Sequence, residues 1–128
     1  MVREYAKWMG IVIVLIGLGG LVLGEQALLG VLNIDIVEDL IHVLTGGLMA
    51  YVGFRGTTAA ARAVVGGTGA FYLVAFLLGL TVPNLFGLLP HGYSGVDNFI
   101  HVTLGVLGVA VAWFLGRETS TGPQGLST

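Results

Sequence analysis

The chain has 128 residues, of which 5 are Lys or Arg and 7 are Asp or Glu, against 55 % apolar residues and 22 glycines. A soluble domain carries roughly a quarter charged residues, so this chain lacks the polar surface that water requires, and its apolar content excludes disorder. The formal charge of −2 excludes nucleic acid as a partner. The lack of cysteine removes disulfides, thiolate metal sites and Cys nucleophiles together. What remains is a small integral membrane protein whose first partner is the lipid bilayer.

Taken in chain order, the uncharged stretch between Lys7 and Glu25 predicts a first span over 7–24, with Trp8 at the interface. A connection over 25–35 leads to a second span, 36–54, whose Glu38, Asp39 and His42 cluster near its start. After a loop over 55–62, the third span covers 63–82 and is closed by Pro83. A connection over 83–95 precedes the fourth span, 96–116, with Asp97, Asn98 and His101 near its start. The expected fold is all-α: an antiparallel four-helix transmembrane bundle forming one domain over 1–116, with a disordered cytoplasmic tail over 117–128. Arg3, Lys7, Arg55, Arg62 and Arg117 all fall on one side of this topology. The positive-inside rule then makes it a multi-pass cell-membrane protein with both termini in the cytoplasm.

The chain repeats itself at an offset of 59 residues. Asp35-Ile-Val-Glu38-Asp39-Leu-Ile-His42-Val-Leu-Thr-Gly46 aligns without gaps on Ser94-Gly-Val-Asp97-Asn98-Phe-Ile-His101-Val-Thr-Leu-Gly105. At the same offset Gly10 meets Gly69 and Gly20 meets Gly79. Two helical hairpins, about 5–56 and 64–115, are therefore expected as parallel repeats about an axis along the membrane normal. The Asx-x-x-His-x-x-x-Gly motif on two spans resembles an uncharacterised prokaryotic family of four-helix integral membrane proteins, of the domain-of-unknown-function type. Asn98-Phe-Ile-His101 matches that family's Asn-x-x-His, whereas Asp39-Leu-Ile-His42 carries Asp in its place. The resemblance implies fold and membrane location, and it implies no activity.

Asp35-x-x-Glu38 and Ser94-x-x-Asp97 have capping-box spacing, so Asp35 and Ser94 are expected to cap their helices with the acids reaching back. The histidines lie deeper, where ionisable groups face the bundle interior and count as functional candidates. Helical spacing from His42 reads Gly46, Met49, Gly53, and from His101 it reads Gly105, Gly108, Ala112. Such small-residue stripes serve close helix packing or admit a flat ligand. His42 and His101, with Asp39 and Asn98 accepting from the rings one turn back, form the expected ligand site near the outer face. Glu38, Asp97 and His91 are secondary candidates, His91 more simply an interfacial loop residue.

Three classes of function fit this pattern. A paired-histidine site would bind haem b between opposed imidazoles, or a divalent metal through nitrogen and oxygen ligands. The same pair would serve as the pH-sensitive element of an oligomeric transporter or channel. The third class is an accessory or structural subunit, in a homo-oligomer or a larger membrane complex. An enzyme is the weakest reading, for no HExxH or Ser/His/Asp order can be assembled. Gly66-Gly67-Thr68-Gly69 opens a span and follows no strand, so it is no phosphate loop.

Overall fold

The computed structural model describes residues 1–24, 26–28, 32–82 and 84–115. Glu25, Pro83, the end of the fourth span at 116 and the tail expected to be disordered over 117–128 lie outside the described residues. Among the described residues there are four α-helices: α1 (Val2–Leu23), α2 (Ile36–Arg55), α3 (Thr58–Thr81) and α4 (Gly95–Phe114). All four are long and apolar enough to cross a membrane. Their outward faces suit lipid: Leu15, Val22, Leu44, Leu48, Phe99 and Phe114 are all exposed. In water so much exposed apolar surface would drive aggregation.

Two of the expected boundaries change. α1 and α3 begin five residues before the expected starts, at Val2 and Thr58. Composition places a span after its last charge, but here the charged residues belong to the helices, and two arginines bond to the partner helix of their hairpin. Arg3 Nη2 donates to the Gly53 and Phe54 carbonyls at 3.4 and 3.3 Å, and Arg62 Nε donates to the Ala112 carbonyl at 2.9 Å. Each arginine thus satisfies carbonyls near the negative C-terminal end of the neighbouring helix. Thr57 caps α3, its hydroxyl oxygen accepting from the Ala60 N–H at 3.1 Å. The connection between α1 and α2 carries a short antiparallel ribbon, β1 (Gln26–Leu28) with β2 (Leu32–Ile34). That between α3 and α4 carries a single 3-10 turn over Leu85–Gly87.

α1 packs along α2 and α3 along α4, and the two hairpins meet through sparser contacts. Between them lies a buried core that includes Val2, Ala6, Ile13, Met49, Val65, Tyr72 and Ala112. Within each hairpin the helices touch backbone to backbone. A Cβ placed at Gly10 would strike Ala50 N and Gly46 O, and one at Gly69 would strike Val109 N and Gly105 O. These are the same contacts shifted by 59 residues. The Arg3–Gly53 and Arg62–Ala112 bonds obey the same shift. Lipid tails are as apolar as leucine, so close packing must supply the helix–helix attraction that water supplies elsewhere.

Gly10→Ala and Gly69→Ala should each destabilise the bundle, by about 1–3 kcal/mol if they behave as overpacked cores do. Gly47→Ala and Gly67→Ala, where an added Cβ meets nothing within 4 Å, should be neutral or slightly stabilising. Thermal unfolding of the four variants in one detergent compares them. Equal effects at all four positions would refute the close-contact account.

Candidate functional site

Glu38 and His42 stand four residues apart on α2 and so share one face of the helix. His42, Gly46, Met49 and Gly53 are all buried, as are His101, Gly105, Gly108 and Ala112, so both histidine stripes face the interior. The two imidazole rings meet, with centroids 5.9 Å apart and planes inclined by 26°. The Tyr72 ring, from α3, packs on both at 5.8 and 5.6 Å. Its hydroxyl bonds Thr45 Oγ1 at 2.8 Å, while the Thr45 hydroxyl donates to the Ile41 carbonyl at 2.8 Å. Tyr93 closes the arrangement edge-on to His101, at 4.9 Å between centroids.

His42 Nδ1 lies 2.9 Å from the Glu38 carbonyl. A carbonyl only accepts, so Nδ1 carries the hydrogen and Nε2 keeps its lone pair. That Nε2 is buried and has no partner among the described residues. His101 Nε2 lies 3.1 Å from Glu38 Oε1, a contact that holds one hydrogen between the ring and the carboxyl group. His101 Nδ1 and Glu38 Oε2 are also buried without partners among the described residues. All three side chains are deeply inside, at 6 % exposure for Glu38, 4 % for His42 and 2 % for His101. One ligand atom from each falls within 4.8 Å of the others. Two imidazoles and a carboxylate with no thiolate suit a divalent first-row transition ion.

The remaining candidates separate from this cluster. Asp39 and Asn98 do not accept from the histidine rings. The Asp39 carboxylate instead lies against Gly20 of α1, and the Asn98 side-chain oxygen lies against Gly79 of α3. Helix geometry accounts for this, because a residue three positions before the histidine points towards the hairpin partner. Asp35 occupies the N-cap position of α2 but makes no capping bond. Its Oδ1 accepts from the backbone N–H of His91 at 3.2 Å and lies 2.9 Å from His91 Nδ1. Asp35 and His91 therefore tie the α1–α2 and α3–α4 connections together. Glu38, freed from a capping role, turns inward to His101. Ser94 and Asp97 form a reciprocal capping box, with bonds of 2.7 and 3.1 Å.

Haem b does not fit the cluster. Ligation from both sides needs an open slot between the imidazoles, and here Glu38 sits on His101 Nε2 while Tyr72 covers both rings. Tyr72, Thr45 and Tyr93 have no place in the sequence-based site. The signal for Tyr72 was available: it is a polar aromatic in the middle of a predominantly apolar span, and a buried phenol needs a partner. Comparison with protein-family profiles, curated proteins and solved structures found no match.

Tyr93 lies before α4, and burial, reinforced by the Glu38 and Asp97 carboxylates, pushes its phenol up to about 12. Its neutral form is favoured in the folded chain, whereas the unfolded chain ionises near an ordinary phenol value of about 10. The stability this group contributes is fully present below pH ~10 and is lost as the pH rises towards ~12. The phenolate absorbance attributable to Tyr93, taken as wild type minus Tyr93→Phe, should appear only near pH 12. An ordinary titration near pH 10 in the folded protein would contradict its burial.

Proposed function

We propose that this chain is a metal-binding membrane protein in which Glu38, His42 and His101 hold one divalent transition ion. The observation that carries the reading is the convergence of three buried ligand side chains from two helices, with lone pairs left unpartnered. Unsatisfied buried polar groups each cost about 1–3 kcal/mol, and a cation accepting those lone pairs removes the cost. Glu38 is doubly committed, since its carbonyl fixes the His42 tautomer while its carboxylate meets His101. Ligation needs the carboxyl group ionised and both imidazoles neutral, so affinity should fall with acidity.

Purified protein offered Zn, Mn, Fe or Ni should retain about one ion per chain by elemental analysis. His42→Ala and His101→Ala should each lose it, and Glu38→Gln should weaken it by roughly ten-fold or more, as loss of a ligand does. Gly47→Ala should retain the ion. A wild type that holds no ion under any loading, or histidine variants that hold it unchanged, would end this reading. A Soret band that disappears in His42→Ala would replace it with the haem reading.

The membrane orientation belongs to the same proposal. Arg3, Lys7, Arg55 and Arg62 lie at the end of the bundle opposite Glu38, His42 and His101, and basic residues favour the cytoplasmic side. Both termini are then cytoplasmic and the cluster lies near the outer face. In intact cells an impermeant maleimide should label Leu88→Cys and spare Thr57→Cys. The reverse pattern would invert the topology.

A further inference from the structure

A cavity of about 280 Å³ opens onto the cluster between α1, α2 and α4. Its floor is polar, formed by Glu38, Asp39, His42, Asp97 and His101, and its walls are Leu15, Ile16, Gly19, Leu23 and Ile100. Leu15 and Leu23 are 62 % and 57 % exposed on the outside of α1. The mouth therefore lies on the lipid-facing side of the bundle, where α1 and α4 scarcely touch. This side offers a solute a path to the floor from the hydrocarbon, along an apolar wall.

The floor also restricts the head group. Its buried unpartnered atoms are Asp39 Oδ2, Glu38 Oε2, His42 Nε2 and His101 Nδ1, and the tautomer set above makes His42 Nε2 an acceptor, as the oxygens of a carboxylate are. An ion held by Glu38, His42 and His101 would leave Asp39 Oδ2 still unpartnered and would keep coordination positions open, as three-ligand sites do. A carboxylate brings lone pairs for the ion but no hydrogen for Asp39. An ammonium would bring donors but no lone pair for the ion. A hydroxyl brings both, a hydrogen for Asp39 and a lone pair for the metal.

We infer that this cavity binds a small neutral amphiphile from the bilayer, a hydroxyl head on a short hydrocarbon body, with the head between Asp39 and the metal site. The volume, near the lower end of ligand pockets at roughly 300–1,000 Å³, suits a short-chain phenol or alcohol and is too small for a phospholipid. The inference rests on the metal reading only for the second contact of the hydroxyl, since the Asp39 contact and the cavity are independent of it.

The test uses full-length protein in phosphatidylcholine nanodiscs, with 4-heptylphenol as probe and 4-heptylanisole, which has no hydroxyl hydrogen, as its control. Binding is read by equilibrium dialysis with empty nanodiscs subtracted, and metal content is measured on the same samples. The phenol should bind saturably at one per chain, at least ten-fold tighter than the ether. A Cβ placed at Gly19 meets nothing within 4 Å, so Gly19→Phe should fill the mouth, abolish saturable binding and leave melting temperature and metal content unchanged. Leu15→Trp, at an exposed wall position, should weaken the phenol at least ten-fold and serves if Gly19→Phe fails to fold. Equal binding of phenol and ether, no saturable binding in wild type, or full binding in both variants would overturn the inference. Phenol binding with the expected selectivity in a chain that takes up no metal would support the cavity and overturn the metal reading alone.

Discussion

The fold depends on one constraint, the approach of helix backbones within each hairpin to a distance that leaves no room for a side chain. In lipid there is no water to expel from between helices, so contact must be made attractive by proximity itself. Gly10 against Gly46 and Ala50, and Gly69 against Gly105 and Val109, provide that proximity. Because these crossings fix the register of α2 on α1 and of α4 on α3, they also fix the height at which each histidine enters the interior. The meeting of His42 and His101 between the hairpins follows from two crossings made alike.

The duplicated frame nevertheless produces an asymmetric centre. Position 13 of α1 is isoleucine while its counterpart in α3 is Tyr72, so only one hairpin lays a phenol over the imidazoles. Glu38 extends one methylene further than its counterpart Asp97. The longer side chain crosses to the histidine of the other hairpin, and the shorter one turns back into its own helix start. Two small departures from the repeat thus turn a symmetric pair of imidazoles into an asymmetric cluster with one phenol and one carboxyl group against the rings.

Much of this was legible in the sequence, and the failures have identifiable causes. Lengths of uncharged chain located the four helices, because crossing hydrocarbon imposes a minimum length. The repeat located the glycines, and helical spacing located the inward histidine stripes. Helix starts were misjudged where Arg3 and Arg62 bond to carbonyls of the partner helix, a contact about fifty positions distant. Asp35 and Glu38 were misjudged because local spacing imitates a capping box, while their actual partners, His91 and His101, lie far along the chain. Local rules speak for nearby atoms. They fail where a residue has a better partner across the bundle.

The pockets at Gly20 and Gly79 hold side chains of nearly identical shape, a carboxylate from Asp39 in one and an amide from Asn98 in the other. Shape and charge are thereby separated at this depth of the protein. The same glycine notch accepts either group, so exchanging an ionised Asp for Asn, or the reverse, changes the interior's formal charge by one while its steric outline stays fixed. An architecture of this kind allows the electrical character of its interior to drift by single substitutions without renegotiating how its helices pack.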